Sequence, residues 1–401
     1  MQPDQYIRRV LIVVSGMSPQ VLTETLYALA CGPQPEFVPT EVHLLSTREG
    51  ARHARLNLLE GDAHFHRLCE DYGLDSGCFS AGNIHVIANG DGEPLDDIRT
   101  PADNDAAADY ITDFIRRHTA DADAAVHVSM AGGRKTMGYY AGYALSLFGR
   151  DQDRLSHVLV SEGFESHRDF YYPTPVSRAI HREGKAALDA KEARVELASI
   201  PFVRLRDELP EKTLKDSPLL EGRQSFSAAV AAAEFARLPH VMTLDLPNLS
   251  CKVGDQPVDG LGSANFSFLA WLADRAARGL PPLSMKNDID SRQGGTGMET
   301  GQDYARFCVR LQARDESLLD AAGSGAYKLP GLSKTIDARS EFGFDNRTRF
   351  ETHFADLRRA LAKTLGSRLA EQFTPLNLGK KGDAQYGFKD FDAHFVVIPL
   401  N

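Results

Sequence analysis

Two apolar runs in this chain share one pattern, and that pattern restricts the fold more than any other feature. Val10 to Val14 is continuous and rich in β-branched residues. Unbroken runs of this kind mark strands buried on both faces, as in parallel sheets. The run ends in Ser15-Gly16-Met17-Ser18-Pro19. Pro19 suits the first turn of a helix and Ser18 a helix cap. Val21, Leu22, Leu26, Leu29 and Ala30 then recur at helical spacing. Ala124 to Val128 is the second run. It ends in Ser129-Met130-Ala131-Gly132-Gly133-Arg134-Lys135-Thr136 and opens an apolar helical stretch, Met137 to Phe148.

The same alternation fills the space between them. Val42–Leu45, Ile84–Ala88 and Leu155–Val160 read as strands, and Glu49–Leu59 and Asn104–His118 as helices. Strands alternating with helices predict an α/β fold with a doubly wound, Rossmann-like parallel sheet. Such sheets bind ligands beyond the strand C-termini, where the strand order reverses. Both glycine turns follow strands, so they are expected to face one cleft. A glycine turn lets a ligand approach the backbone, and a helix start offers free N–H groups to an anion. Cations are unfavourable at a helix N-terminus unless an anion joins them. Arg134 and Lys135 together therefore predict an anion site.

Bulk properties narrow the setting. At 401 residues the chain has room for two domains. The formal net charge of −10 argues against broad, non-specific nucleic-acid binding, though not against a local basic site. Cys31, Cys69, Cys78, Cys251 and Cys308 lie far apart with no CxxC spacing, which predicts neither a zinc site nor a disulfide framework. No apolar run reaches membrane-spanning length, and Met1-Gln2-Pro3-Asp4 lacks signal-peptide form. A soluble cytoplasmic protein with no metal or cofactor is expected.

After the last strand, Lys185–Arg194 reads as a charged helical segment and Val195–Leu205, with Pro201 inside, as an edge strand. The polar stretch Asp207–Arg223 sets an expected boundary, giving domains 1–210 and 211–401. In the second half, Ser225–Leu238 reads as a helix, and Val241–Leu246 and Leu249–Val253 as strands. Ser263 is placed as the cap of a helix carrying Phe266, Leu269 and Leu272. Ser291–Gly301 reads as a loop, Tyr304–Leu319 and Thr348–Leu365 as helices, and Phe395–Leu400 as a final apolar run. Strands, helices, a basic helix and a hairpin with Lys380 and Lys381 near its tip resemble the winged-helix output domains of bacterial response regulators. The Tyr386-Gly387 pair suits the strand after the wing. Arg347 to Lys389 holds nine Lys/Arg against four Asp/Glu. Arg358, Arg359, Lys363, Lys380 and Lys381 are thus candidates for DNA or RNA contact, the alternative being an ordinary solvated basic face.

Familiar motifs mostly fail. A P-loop needs Gly directly before its Lys, where this chain has Arg134. The first turn lacks GxGxxG. His64 and His66 are two residues apart and share no helix face, so they read as surface residues. His127, alternating with valines, reads as a satisfied strand histidine. Arg347-x5-His353 loosely resembles the Arg…His motif of a class of helical ribonucleases, but its helix fits the winged-helix order better.

Three stretches together carry a family resemblance: Ser15–Leu29, Ser129–Met137, and Asp169-Phe170-Tyr171-Tyr172-Pro173-Thr174-Pro175. Over about residues 7–210 the chain resembles CRISPR-associated proteins with a CARF domain (CRISPR-associated Rossmann fold), within them the ring nucleases. The resemblance implies a Rossmann-like homodimer that binds a cyclic oligoadenylate, usually cyclic tetra-adenylate, across its two-fold axis. It further implies metal-independent cleavage to ends carrying 2′,3′-cyclic phosphate. By this match Ser18, Arg134 and Lys135 are the expected catalytic residues. Ser15, Gly16, Met17, Ser129, Gly132, Gly133 and Thr136 are expected to line the ligand. The second functional reading is a sensor: a CARF winged-helix regulator that binds the ring without cutting it.

Overall fold

In the computed structural model both apolar runs are neighbouring central strands of one sheet. The structure describes residues 1–31, 37–130, 132–165, 167–182, 185–215, 225–258, 261–289, 297–313, 326–327, 336–337, 347–380 and 382–400. The chain divides into two units. One comprises Met1–Arg206 with Thr213–Ala233, the other Asp207–Lys212 with Glu234–Asn401.

The strands of the first unit are β1 (Arg8–Val14), β2 (Glu41–Ser46), β3 (Ile84–Val86), β4 (Ala124–Ser129), β5 (Arg154–Val160), β6 (Ala179–Arg182), β7 (Lys185–Asp189) and β8 (Val195–Ser199). Six of them form a sheet in the order β3-β2-β1-β4-β5-β8. All neighbours are parallel except β8, which pairs antiparallel with β5 as an edge strand. The chain winds outward from β1 to β3, then returns to lay β4 beside β1. The strand order therefore reverses between β1 and β4, the place where open α/β sheets bind ligands. Val13 pairs with Ser129, so the two strands end level with each other.

Helices cover both faces: α1 (Gln20–Ala30), α2 (Arg48–Ala54), α3 (His64–Tyr72), α4 (Pro101–Ala120) and α5 (Lys135–Phe148). Side chains alternate along β1. Leu11 and Val13 join a core with Leu22 and Leu26 of α1 and Phe65 and Leu68 of α3. Val10, Ile12 and Val14 join another with Ile111 and Ile115 of α4 and Ala141 and Leu145 of α5. Burial on both faces is why the run has no polar alternation. Thr100 caps α4 by accepting from Asp103 N–H, with Pro101 opening the helix.

Several local expectations change. Lys185–Asp189 is β7, paired antiparallel with β6, not part of a helix. The lysine- and alanine-rich composition favours a helix weakly, and strand pairing overrides it. The Glu49–Leu59 segment is α2 followed by one π turn at Arg55–Leu59. Ser18 makes no capping bond; Pro19 stands at the cap position of α1 instead. His64 is buried, not exposed, with its ring stacked 3.5 Å from that of Tyr171. His127 is buried and shares a 2.7 Å hydrogen bond with Ser156 Oγ.

The second unit is mixed. Met242–Asp245 and Ser250–Val253 form a hairpin, and Phe395–Ile398 adds to Met242–Asp245 in parallel. The Ser263–Ala277 and Arg347–Leu365 helices build its core, in which Phe268, Trp271, Phe350, Leu357 and Leu361 are buried. Gly262, not Ser263, holds the cap position of the first of these helices. Gly297–Gly301, expected in a loop, begins the Gly297–Ala313 helix, while residues 291–296 of that expected loop lie outside the described residues. A three-stranded antiparallel sheet places Leu283–Ser284 next to Gln385–Gly387, and that strand next to Leu376–Asn377.

Candidate functional site

The turn after β1 and the turn after β4 touch through their glycines. A Cβ on Gly16 would sit 2.9 Å from Gly133 Cα, and one on Gly132 would sit 3.1 Å from Ser15 Oγ. At Gly16 the contact is with backbone, so a Cβ there would push the two turns apart, and glycine is set by packing. Gly133 also adopts φ +84°, in the left-handed region. α2, which follows β2, closes in as well, since a Cβ on Gly50 would meet Gly16 O at 2.6 Å.

Buried hydroxyls hold this arrangement. Ser15 is fully buried, and its Oγ–H donates to Ser18 O at 2.8 Å. Ser129 is equally buried and shares a 3.0 Å hydrogen bond with Thr25 of α1. These two serines shape the turns from below. On the outer side, Met17, Ser18, Gly133, Arg134, Lys135 and Thr136 are exposed, and Gly132 is half-exposed. Ala131 lies outside the described residues.

Arg134 stands at the cap position of α5, and no side chain caps the helix. Its first-turn N–H groups and positive dipole end are thus open to an anion beside Lys135. Lys135 has no ion-pair partner among the described residues. Arg134 has one that the sequence did not signal: Asp97, in the segment after β3, accepts from Arg134 Nη2 at 2.5 Å and from Nε at 3.1 Å. The guanidinium holds the Asp97 carboxyl well below the usual carboxylate range, first through its side-chain hydrogen bond. This fork orients Arg134 at the turn. Only the position of the segment, after a parallel strand, hinted at a role.

A second carboxyl escaped the sequence reading. Glu24 of α1 is buried without a hydrogen-bond partner among the described residues. Burial, then the charge of Glu165, pushes its pKa up to about 8. At neutral pH it is a protonated acid.

Of the basic candidates in the second unit, Arg358, Arg359, Lys363 and Lys380 are exposed, and Arg359 pairs with Asp356 at 3.1 Å. Lys381 lies outside the described residues. His353 is half-buried, its ring stacked 5.5 Å from Phe268.

Comparison with known families decides the kinship. The model of the family described as CRISPR-associated protein NE0113 matches residues 18–230, more than half of the chain. The chain belongs to this CRISPR-associated family. The match takes in both strand-end turns from Ser18 onward. Among solved structures, Enterococcus italicus Csm6 bound to cyclic hexa-2′-fluoro-hexa-dAMP aligns with 88% of this chain and 80% of its own. Its identity of 12% and TM-score of 0.28 are too low to transfer anything to this family member. No curated protein matches the chain. Among the described residues, no helix is long and apolar enough to cross a membrane.

Proposed function

We propose that this NE0113-family protein is a ring nuclease acting in type III CRISPR antiviral defence. It binds a cyclic oligoadenylate, cyclic tetra-adenylate, across the two-fold axis of a CARF homodimer and cleaves it. One observation carries the reading: Gly16 and Gly133 interlock at the point where strand order reverses, and this joins the Ser15–Ser18 and Gly132–Lys135 turns. The resemblance of those two turns to the ligand motifs of CARF ring nucleases supports the choice of ligand. The uncapped start of α5 and the exposed Lys135 suit a phosphate.

The chemistry asks little of the protein. The 2′-OH of a ribose is already beside its phosphate, so holding in-line geometry supplies effective molarity. The 2′-oxygen forms a new bond to phosphorus, the bond to the 5′-oxygen breaks, and the 2′-proton is lost as the 5′-oxygen gains one. The products carry a 2′,3′-cyclic phosphate and a 5′-OH. Lys135, Arg134 and the N–H groups of Gly132 and Gly133 stabilise the charge gathered on phosphorus. Ser18 positions the 2′-OH or a phosphate oxygen, with Met17 and Thr136 lining the ring. Ser15 and Ser129, being buried, act through the turns. No step uses a metal ion.

The test is incubation with cyclic tetra-adenylate in EDTA, followed by separation of products. Wild type yields linear fragments, and Lys135→Ala yields none. Undiminished cleavage by that variant would sink the assignment.

A second reading draws on one strand pairing in the second unit. Leu283–Ser284, after the Ser263–Ala277 helix, lies beside Gln385–Gly387, the second of two strands that follow the Arg347–Leu365 and Ser367–Phe373 helices, a pairing that a winged helix also has. Exposed Arg358, Arg359, Lys363 and Lys380 then face DNA or RNA, and the protein is a ring sensor. Intact ring after long incubation, with ring-dependent nucleic-acid binding, selects this reading.

A further inference from the structure

At the end of the sheet opposite the two turns, three imidazoles and a carboxylate meet. Glu41 and His43 lie near the start of β2, His85 on β3, and His118 in the last turn of α4. α4 leads from the C-terminal side of β3 back to the start of β4, so its last turn lies where the strands begin. The His43 ring centre is 4.8 Å from that of His118 and 5.1 Å from that of His85. One potential ligand atom from each of Glu41, His43 and His118 lies within 4.8 Å of the others. We propose that Glu41, His43 and His118 form a site for a divalent transition-metal ion of the zinc class, which fastens α4 to β2.

Each ligand has its other polar atom already held, as metal-binding side chains require. His118 Nδ1–H donates to Phe114 O at 2.8 Å, which leaves the Nε2 lone pair available. His43 Nδ1 meets His85 Nε2 at 3.0 Å and turns Nε2 toward Glu41. Glu41 Oε2 accepts from Arg8 at 2.7 Å, which leaves Oε1 for the ion. Two imidazoles and one carboxylate, with a fourth position for water, form a donor set that zinc accepts and that suits calcium or magnesium poorly.

Charge agrees with this geometry. Arg8 also pairs with Asp121, so Glu41, Arg8 and Asp121 together carry one negative charge toward a cation. Without an ion, His43 Nε2 shares its 2.7 Å hydrogen bond with Glu41 Oε1. An ion takes the place of that bond. The His43 proton moves to Nδ1 and faces His85 Nε2, while the His85 proton moves to its own Nδ1. The proton count is unchanged.

The test uses the full chain, stripped with a chelator and titrated with Co²⁺, then Zn²⁺. Visible ligand-field bands are expected to saturate at one Co²⁺ per chain, to be displaced by Zn²⁺, and to accompany a rise in Tm. Outer-shell partners alone change metal affinity by roughly 10–100-fold, so loss of a direct ligand should weaken binding by at least about tenfold. His118→Ala and Glu41→Gln should each do so, while His181→Ala, an exposed histidine on β6, should not. Glu41→Gln keeps the test open if His118→Ala does not fold. Absence of bands in wild type, or wild-type affinity retained in both variants, overturns the site and leaves a hydrogen-bonded cluster only. Neither outcome depends on ring cleavage.

Discussion

Gly133 combines positive φ with a close ceiling, since an added Cβ would lie 3.0 Å from Met137 Sδ and 3.3 Å from Gly16 N. Left-handed backbone costs an L-residue about 1–2 kcal/mol before any clash. Gly133→Ala should therefore lower unfolding free energy by at least about that amount in denaturant melts, and it should weaken cyclic tetra-adenylate binding as the turns part. Retention of both would show that the interlock does not build the site. Glu24 gives a pH signature. Its folded pKa of about 8 exceeds the ordinary glutamate value of 4.5, so the folded state binds more protons between those values. Its contribution is present below pH 4.5 and is lost as pH rises through 8. Between pH 5 and pH 9 wild type should lose about 1–4 kcal/mol more stability than Glu24→Gln. Parallel pH–stability curves would show that Glu24 is not the source.

Among the elements, α1 and β4 are tied by the hydroxyl pair of Thr25 and Ser129, buried and 3.0 Å apart. Thr25→Val keeps the volume and leaves Ser129 without that partner, a loss of about 1–3 kcal/mol. The turn after β4 sits directly on this pair, so cleavage should fall along with Tm. A variant with lowered Tm and full cleavage would separate the pair from the site. The Lys185–Asp189 strand belongs to the same scale. Its residues favour a helix weakly, and the antiparallel pairing with Ala179–Arg182 that makes it a strand is not a property of its own composition.

For the whole molecule, the proposed function asks a chain of −10 to hold a polyanionic ring. The proposed homodimer would do this by bringing two copies of Lys135 and Arg134 to one ligand, which keeps the positive charge local. Binding of cyclic tetra-adenylate should weaken steeply with salt and keep a stoichiometry of one ring per two chains in titration calorimetry. A one-to-one ratio counts against the two-fold site. The exposed cations of the second unit make a separate claim. Arg358→Ala with Arg359→Ala should reduce the salt slope of nucleic-acid binding by about 2 and leave ring cleavage unchanged. An unaltered slope returns that face to solvent.

Read alone, the sequence determined the alternation of buried strands and helices, because burial on both faces leaves an apolar run that needs no partner to be recognised. It also determined where the two glycine turns fall and which cations follow them, since these are local properties of strand ends and helix starts. Tertiary structure decided the rest. The interlock of Gly16 with Gly133 depends on strand order. Ser15 and Ser129 became supports because packing buries them. Asp97 reached Arg134, and Glu41, His43, His85 and His118 met, across separations in sequence that only the winding of the sheet closes.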